Sequence, residues 1–247
     1  MRLIKHIPNF LTSLNLFTGT LAVVFAFEGQ FHWAALLVGI AALFDFLDGM
    51  TARLLKAWSA MGKELDSLAD LVSFGLAPAV ILFRLMQQSN GLPLVAINSI
   101  NVLPFTAFII TVFSALRLAK FNIDTRQSDS FLGLPTPANA IFIVSIPLAL
   151  HYGEGFFYPL FAALTQSFGA LAIMVAILSF LMIAEIPLFS LKFKSFRFAE
   201  NKTRFVFLLI SLAMIIMFHW YAIALTIILY LLLSVAENLA RGRRIEK

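Results

Sequence analysis

The stretch from Asp45 to Asp70, DFLDGMTARLLKAWSAMGKELDSLAD, decides how the whole chain is read. It holds four aspartates in two pairs, Asp45/Asp48 and Asp66/Asp70, in an otherwise almost wholly apolar sequence. An α-helix turns about 100° per residue. At that pitch Asp45, Asp48, Gly49 and Ala52 share one narrow face. Gly62, Asp66, Ala69, Asp70, Ser73 and Ala77 share one face of a second helix. Residues 54–61 leave room for that helix to turn back on the first. Four carboxylates then converge with only small side chains around them, leaving space for a ligand. Such a concentration of negative charge requires cations, and oxygen donors select hard divalent ones.

Of the 247 residues 61% are hydrophobic, and the mean hydropathy is +0.93. A soluble domain of this length cannot hide that much apolar surface, so an integral membrane protein is expected. Cysteine is absent, which excludes a disulfide framework, a zinc-thiolate site and a cysteine nucleophile. The net charge of +5 is read as a basic face on anionic lipid. No nucleic-acid partner is expected, because the 27 phenylalanines follow no base-stacking pattern. The N-terminal MRLIKHIPNF lacks a small-residue cleavage site and does not read as a cleaved signal.

Apolar runs predict spans at about 10–27, 31–55, 64–87, 102–121, 138–152, 168–186, 205–218 and 220–236, with a short interfacial helix at 160–167. The fold class is therefore all-α: a polytopic membrane bundle of about eight transmembrane helices. It forms a single domain, with a core over about 1–186 and two appended spans over about 203–237. With both termini inside, every one of the 18 basic residues except Arg84 falls on the cytoplasmic face. Both aspartate pairs then lie at the cytoplasmic ends of adjacent antiparallel helices, where a soluble substrate and a lipid can meet. The C-terminal ARGRR reads as a tether to anionic lipid.

Written out, the stretch is D-x-x-D-G-x-x-A-R-(x8)-G-x-x-x-D-x-x-x-D. It resembles the signature of the CDP-alcohol phosphotransferase family, with every fixed position present: Asp45, Asp48, Gly49, Ala52, Arg53, Gly62, Asp66 and Asp70. PNFLTSLNLFTG near the start, SFGLAP after Asp70, and RLAKFN followed by FLGLPTPANA are similar to the phosphatidylserine synthase branch. The resemblance implies CDP-diacylglycerol as lipid substrate, L-serine as acceptor, and phosphatidylserine and CMP as products. It implies two divalent cations, Mg²⁺ or Mn²⁺, on Asp45, Asp48, Asp66 and Asp70, with Asp70 also the base for the acceptor hydroxyl. Gly49, Ala52 and Gly62 are implied to line the nucleotide pocket, with Arg53 on a phosphate. A homodimer in a bacterial-type inner membrane is implied as well; Gly39, Ala41 and Ala42 permit close helix contact.

The residue chemistry suits these roles. Paired metals neutralise charge on phosphate oxygens and leaving group, a carboxylate within reach activates a hydroxyl, and arginine offers phosphate a permanently charged fork. Carboxylates inside membrane spans are costly and default to function. Asn15, with Thr12 and Thr18 at helical spacing, is either an interhelical hydrogen-bonding residue or a wall of the nucleotide pocket. Arg117, Lys120 and Asn122 are either a snorkelling basic end or a cradle for the acceptor or the lipid phosphate. Lys56 and Lys63 read as topology charges, the four histidines as interfacial anchors, and Glu185 as a cap or the partner of a nearby base. The shared motif is equally compatible with inositol phosphate, glycerol phosphate or choline as acceptor. A cation-coupled transporter is the remote alternative, but it predicts polar groups deep in several spans and internal repeats.

Overall fold

The computed structural model describes residues 6–124, 131–189 and 201–245. The basic segment around Lys192, Lys194 and Arg197, and Arg126, lie outside the described residues, as do the side chains of the C-terminal ARGRR. The protein is an integral membrane protein built from helices. Ile7–Phe27, Phe31–Leu54, Ala60–Gln88, Leu103–Ile123 and Lys202–Leu239 are each long and apolar enough to cross a bilayer, and Thr136–Tyr152 and Phe168–Ile183 are shorter apolar helices. Large side chains such as Leu209 and Ile216 stand about two-thirds exposed, a surface suited to lipid.

Helix α1 (Ile7–Phe27) takes Pro8 in its first turn, where a missing N–H costs nothing. It stops at Gly29, whose φ of 76° lets Gly29 N–H reach the Ala26 carbonyl at 3.1 Å and Gln30 N–H the Phe25 carbonyl at 2.9 Å. α2 (Phe31–Leu54) then packs back along α1. Ala22, Ala26, Ala34, Ala35 and Ala41 are all buried, so the two helices approach closely.

The third predicted span is one continuous helical path with a break in pitch. α3 (Ala60–Asp70) passes directly into a π-helical turn, Leu71–Leu76, and then α4 (Ala77–Gln88). The π turn adds a residue to the helical repeat and re-aims everything beyond Asp70. One of its carbonyls, that of Gly75, accepts a hydrogen bond from Thr111 Oγ1 at 3.2 Å. α4 is buried on nearly every side, from Ala77 through Met86. It is apolar all round because it is the central element of the bundle.

The uncharged stretch after α4, expected as a loop, forms a small hairpin of β1 (Ala96–Ile97) and β2 (Ile100–Asn101). Asn98 and Ser99 both take positive φ at its two-residue turn. A 3₁₀ turn (Leu103–Phe108) leads into α5 (Ile109–Ile123). β3 (Phe131–Leu132) precedes α6 (Thr136–Tyr152), α7 (Tyr158–Gln166) and α8 (Phe168–Ile183). The expected sixth span continued to Ile186; α8 ends earlier because Pro187 and Leu188 form β4, paired with β3. Gly133, at φ 73°, lets the chain re-enter tightly, and a Cβ there would sit 2.6 Å from the Met182 carbonyl. α9 (Lys202–Phe218) and α10 (Ala222–Ile245) pack together across a turn at His219–Tyr221, where His219 takes φ 47°. The tight reversal expected between His219 and Trp220 is thus made by a left-handed residue.

Candidate functional site

The carboxylates of Asp45, Asp48 and Asp66 each offer an oxygen within 4.8 Å of the other two. Asp45 and Asp66, from different helices, lie within hydrogen-bonding reach of each other. The helical spacing thus brings the two aspartate pairs together. An all-oxygen donor set of this size suits a hard divalent cation. Asp70, one turn beyond Asp66 and almost fully buried, is not within that 4.8 Å grouping, but its charge acts on Asp45, Asp66 and Asp48.

Helix α1 supplies the partners that aim this cluster. Thr12 Oγ1 donates to Asp48 Oδ2 at 2.6 Å, and Asn15 Nδ2 donates to Asp70 Oδ1 at 3.3 Å. Ser73, in the π turn, donates to the Asn15 carbonyl at 3.0 Å and holds α1 against the segment that carries Asp70. Asn15 is fully buried and does not line the adjoining cavity, so of its two readings the structure shows the interhelical hydrogen bond. Thr12 does line it. The threonine and asparagine at positions 12 and 15 therefore serve different aspartates.

That cavity, of about 560 Å³, opens over the carboxylates. Asp48 and Asp66 form one part of its wall; Gly49, Ala52 and Gly62 form another, as their small size predicts. A Cβ on Gly49 would meet only the Arg53 guanidinium, at 3.9 Å, so this glycine faces open space. Gly62 is more constrained, since a Cβ there would lie 2.9 Å from Asn9 Oδ1. Arg53 is exposed and folds back over α2, its Nε donating to the Gly49 carbonyl at 2.9 Å, so it stands at the rim. Trp58, Lys63 and Phe121 also line the cavity. Lys63, a topology charge by its place in the sequence, also donates from Nζ to the Asn122 carbonyl at 3.0 Å and ties α3 to the end of α5.

The three residues at the end of α5 separate. Asn122 lines the carboxylate cavity, its Nδ2 on Ser67 Oγ at 2.8 Å. Lys120 turns away to an ion pair with Glu185 at 3.0 Å, which also accounts for that glutamate. Only Arg117 points inward. It is nearly fully buried, donates to Thr136 Oγ1 at 3.4 Å, and its charge acts on both Asp70 and Tyr230 of α10. Its Nε has no partner among the described residues, and neither does any side-chain polar atom of Asn139, one turn past Thr136. A buried arginine facing an aspartate, with unmet donors around it, is suited to an anionic ligand. Thr136 and Asn139 lie within FLGLPTPANA, quoted above for its resemblance, though neither was singled out there; Tyr230 had no signal beyond being a polar residue in an apolar helix.

Comparison with known proteins bears on what this arrangement does. The family model for CDP-alcohol phosphatidyltransferase matches residues 5–178, which include every element of the carboxylate site. The CDP-diacylglycerol–serine O-phosphatidyltransferase of Helicobacter pylori is 36% identical over 171 residues, covering 67% of this chain and 68% of the relative. The protein of the same name from Bacillus subtilis is 36% identical over 140 residues, covering 57% of this chain and 74% of its own. The archaetidylserine synthase of Methanothermobacter thermautotrophicus is 35% identical over 150 residues, 60% of each chain.

Proposed function

The chain belongs to the CDP-alcohol phosphatidyltransferase family, and from that premise we propose that it transfers a phosphatidyl group from CDP-diacylglycerol to the hydroxyl of L-serine, giving phosphatidylserine and CMP. The observation that carries this reading is the carboxylate trio, two of whose members, Asp48 and Asp66, line the cavity, with buried Asp70 within reach of the field of Arg117. Serine as the acceptor is supported by the names of the relatives in Helicobacter pylori and Bacillus subtilis. Asp45, Asp48, Asp66 and Asp70 would hold two divalent cations, Mg²⁺ or Mn²⁺, whose charge neutralises the diphosphate and the departing CMP.

The remaining roles belong to the chain itself. Gly49, Ala52 and Gly62 admit the nucleotide close to the helix backbone. Arg53 swings from the rim onto a phosphate oxygen. Arg117, with Thr136 and Asn139, holds the serine carboxylate and presents the hydroxyl to Asp70. Asn15 fixes Asp70 in orientation. The serine oxygen attacks the phosphorus that carries diacylglycerol, its proton passes to Asp70, and the bond from that phosphorus to CMP breaks.

The site and both termini are assigned to the cytoplasmic side of a bacterial-type inner membrane, supported by the distribution of basic residues. Because the chain has no cysteine, single substitutions test this cleanly. Glu154→Cys should react with an impermeant maleimide from outside intact cells, and Lys56→Cys should not. A homodimer belongs to the same proposal. Ala41 is buried within the subunit, so exposed Gly39 and partly exposed Ala42 on α2 are the positions left for close contact with a partner; mass measurement in detergent checks it. The deciding assay supplies purified protein with CDP-diacylglycerol and Mg²⁺ or Mn²⁺ and follows CMP release. Release that depends on serine and is lost in Asp70→Asn supports the proposal. Release with inositol phosphate, glycerol phosphate or choline instead would replace the acceptor while keeping the chemistry, and no release from folded protein would overturn it.

A further inference from the structure

The link between α2 and α3 presents one residue that neither helix needs. Leu55 and Lys56 close α2: Leu55 N–H reaches the Thr51 carbonyl at 2.9 Å and Lys56 N–H the Arg53 carbonyl at 3.3 Å. Ala57 N–H returns to the Ala52 carbonyl at 3.0 Å, with Lys56 at φ 50°. This is a helix stop that ordinarily uses glycine at the left-handed position. Ser59 opens α3, its Oγ accepting from Gly62 N–H at 2.9 Å. Between the two caps stands Trp58 alone, the single residue from the end of one cap to the start of the next.

An apolar residue just before an N-cap usually packs on the residue five positions further along. Here that residue is Lys63, whose amine is engaged by Asn122. Trp58 stacks on no other ring among the described residues and is 72% exposed. Its side chain lies in the wall between the carboxylate cavity and an adjoining one of about 660 Å³. The carboxylate cavity is thus lined by acidic residues, small residues and Trp58, which stands between two helix caps.

We infer that Trp58 is the nucleobase platform of this site: its indole face stacks on the pyrimidine ring while the attached phosphates lie toward Asp48 and Asp66. The inference rests on the proposed use of a CDP-linked lipid. Stacking fits the residue because a base offers a flat face and needs no particular hydrogen-bond pattern from the indole. A tryptophan that only anchors the protein at the membrane surface predicts different behaviour.

The test uses full-length protein in detergent with Trp33 and Trp220, which do not line the cavity, replaced by phenylalanine. CMP with Mg²⁺ is titrated against the remaining Trp58 fluorescence, with ribose 5-phosphate and Mg²⁺ as the baseless control. CMP should quench saturably and ribose 5-phosphate should not. Trp58→Leu, which keeps an apolar anchor but no ring, should raise the Kd for CMP, measured calorimetrically, roughly tenfold, with Trp58→Phe between the two. Absence of quenching, or a Trp58→Leu variant that binds CMP as tightly as the parent, overturns the inference. Wild-type protein that quenches with CMP yet releases none from CDP-diacylglycerol would keep the platform and remove the transferase reading. Serine-dependent release with unchanged CMP affinity in Trp58→Leu would do the reverse.

Discussion

Replacing Gly19 by alanine tests how tightly the fold couples α1 to the segment behind Asp70. A Cβ at Gly19 would lie 2.7 Å from Ser73 Cα and 2.8 Å from Ser73 Cβ, and it would overlap Ser73 Oγ. Carbon atoms in contact prefer about 3.5–4.0 Å, so α1 and the π turn must part by about 1 Å. A hydroxyl can rotate away; the Ser73 backbone cannot. Overpacking of this kind costs about 1–3 kcal/mol, while a helical glycine-to-alanine exchange returns about 1 kcal/mol. The net loss of stability is therefore small, on the order of 0–2 kcal/mol. Activity should respond more, because the Ser73–Asn15 and Asn15–Asp70 hydrogen bonds lie at the same junction. A displacement near 1 Å at a reacting group can reduce turnover by about 10²-fold. Gly19→Ala is expected to lower the melting temperature slightly and kcat by roughly ten- to a hundredfold. Gly169→Ala on α8 is the matched control, since this exposed glycine's Cβ would meet only Ser167 Oγ, at 4.0 Å; it should keep full turnover. Thermal melts and CMP-release kinetics in the same detergent provide both readouts. A Gly19→Ala protein that melts and turns over like wild type would refute the claim that this close approach positions Asp70.

Three further substitutions probe the surroundings of the site. Thr12→Val removes the donor on Asp48 and should weaken Mn²⁺ binding roughly tenfold, read by isothermal titration. Asn15→Ala frees Asp70 and should reduce kcat by about 10²-fold while leaving the KM for CDP-diacylglycerol nearly unchanged. Arg117→Lys should raise the KM for serine, because a point charge does not replace a planar fork. Lys120→Ala should leave that KM unaltered, since its partner is Glu185 on a solvent-exposed face and such pairs contribute at most about 1 kcal/mol.

Much of the site was visible in the sequence because a helix converts spacing into direction. The intervals from Asp45 to Asp48 and from Gly62 to Asp66 assign each side chain to a face without knowledge of the neighbours. Gly49, Ala52 and Gly62 were identifiable for the same reason, and all three line the cavity. Most span limits, such as 10–27 for α1 or 205–218 for α9, followed from hydropathy and turn residues within a few positions. The residues whose two readings the sequence left open depend on which helix faces which. Lys120 and Arg117 occupy successive turns of α5, yet one meets Glu185 at the surface and the other is buried toward Asp70. No local pattern separates them.

The sequence by itself determined a membrane chain of apolar helices with two carboxylate pairs on narrow, small-residue faces. Length, hydropathy and helical periodicity are local properties, and the expense of charge in a bilayer makes the exceptions conspicuous. Only the tertiary structure decided that Asp45, Asp48 and Asp66 form the tightest grouping, that Asn15 serves Asp70 while Thr12 serves Asp48, and that a π turn after Asp70 re-aims the rest of that helix. It also decided that α10 brings Tyr230 to Arg117 from far along the chain. These facts arise from contacts between segments distant in sequence, where packing of one helix against another sets the direction of each polar group.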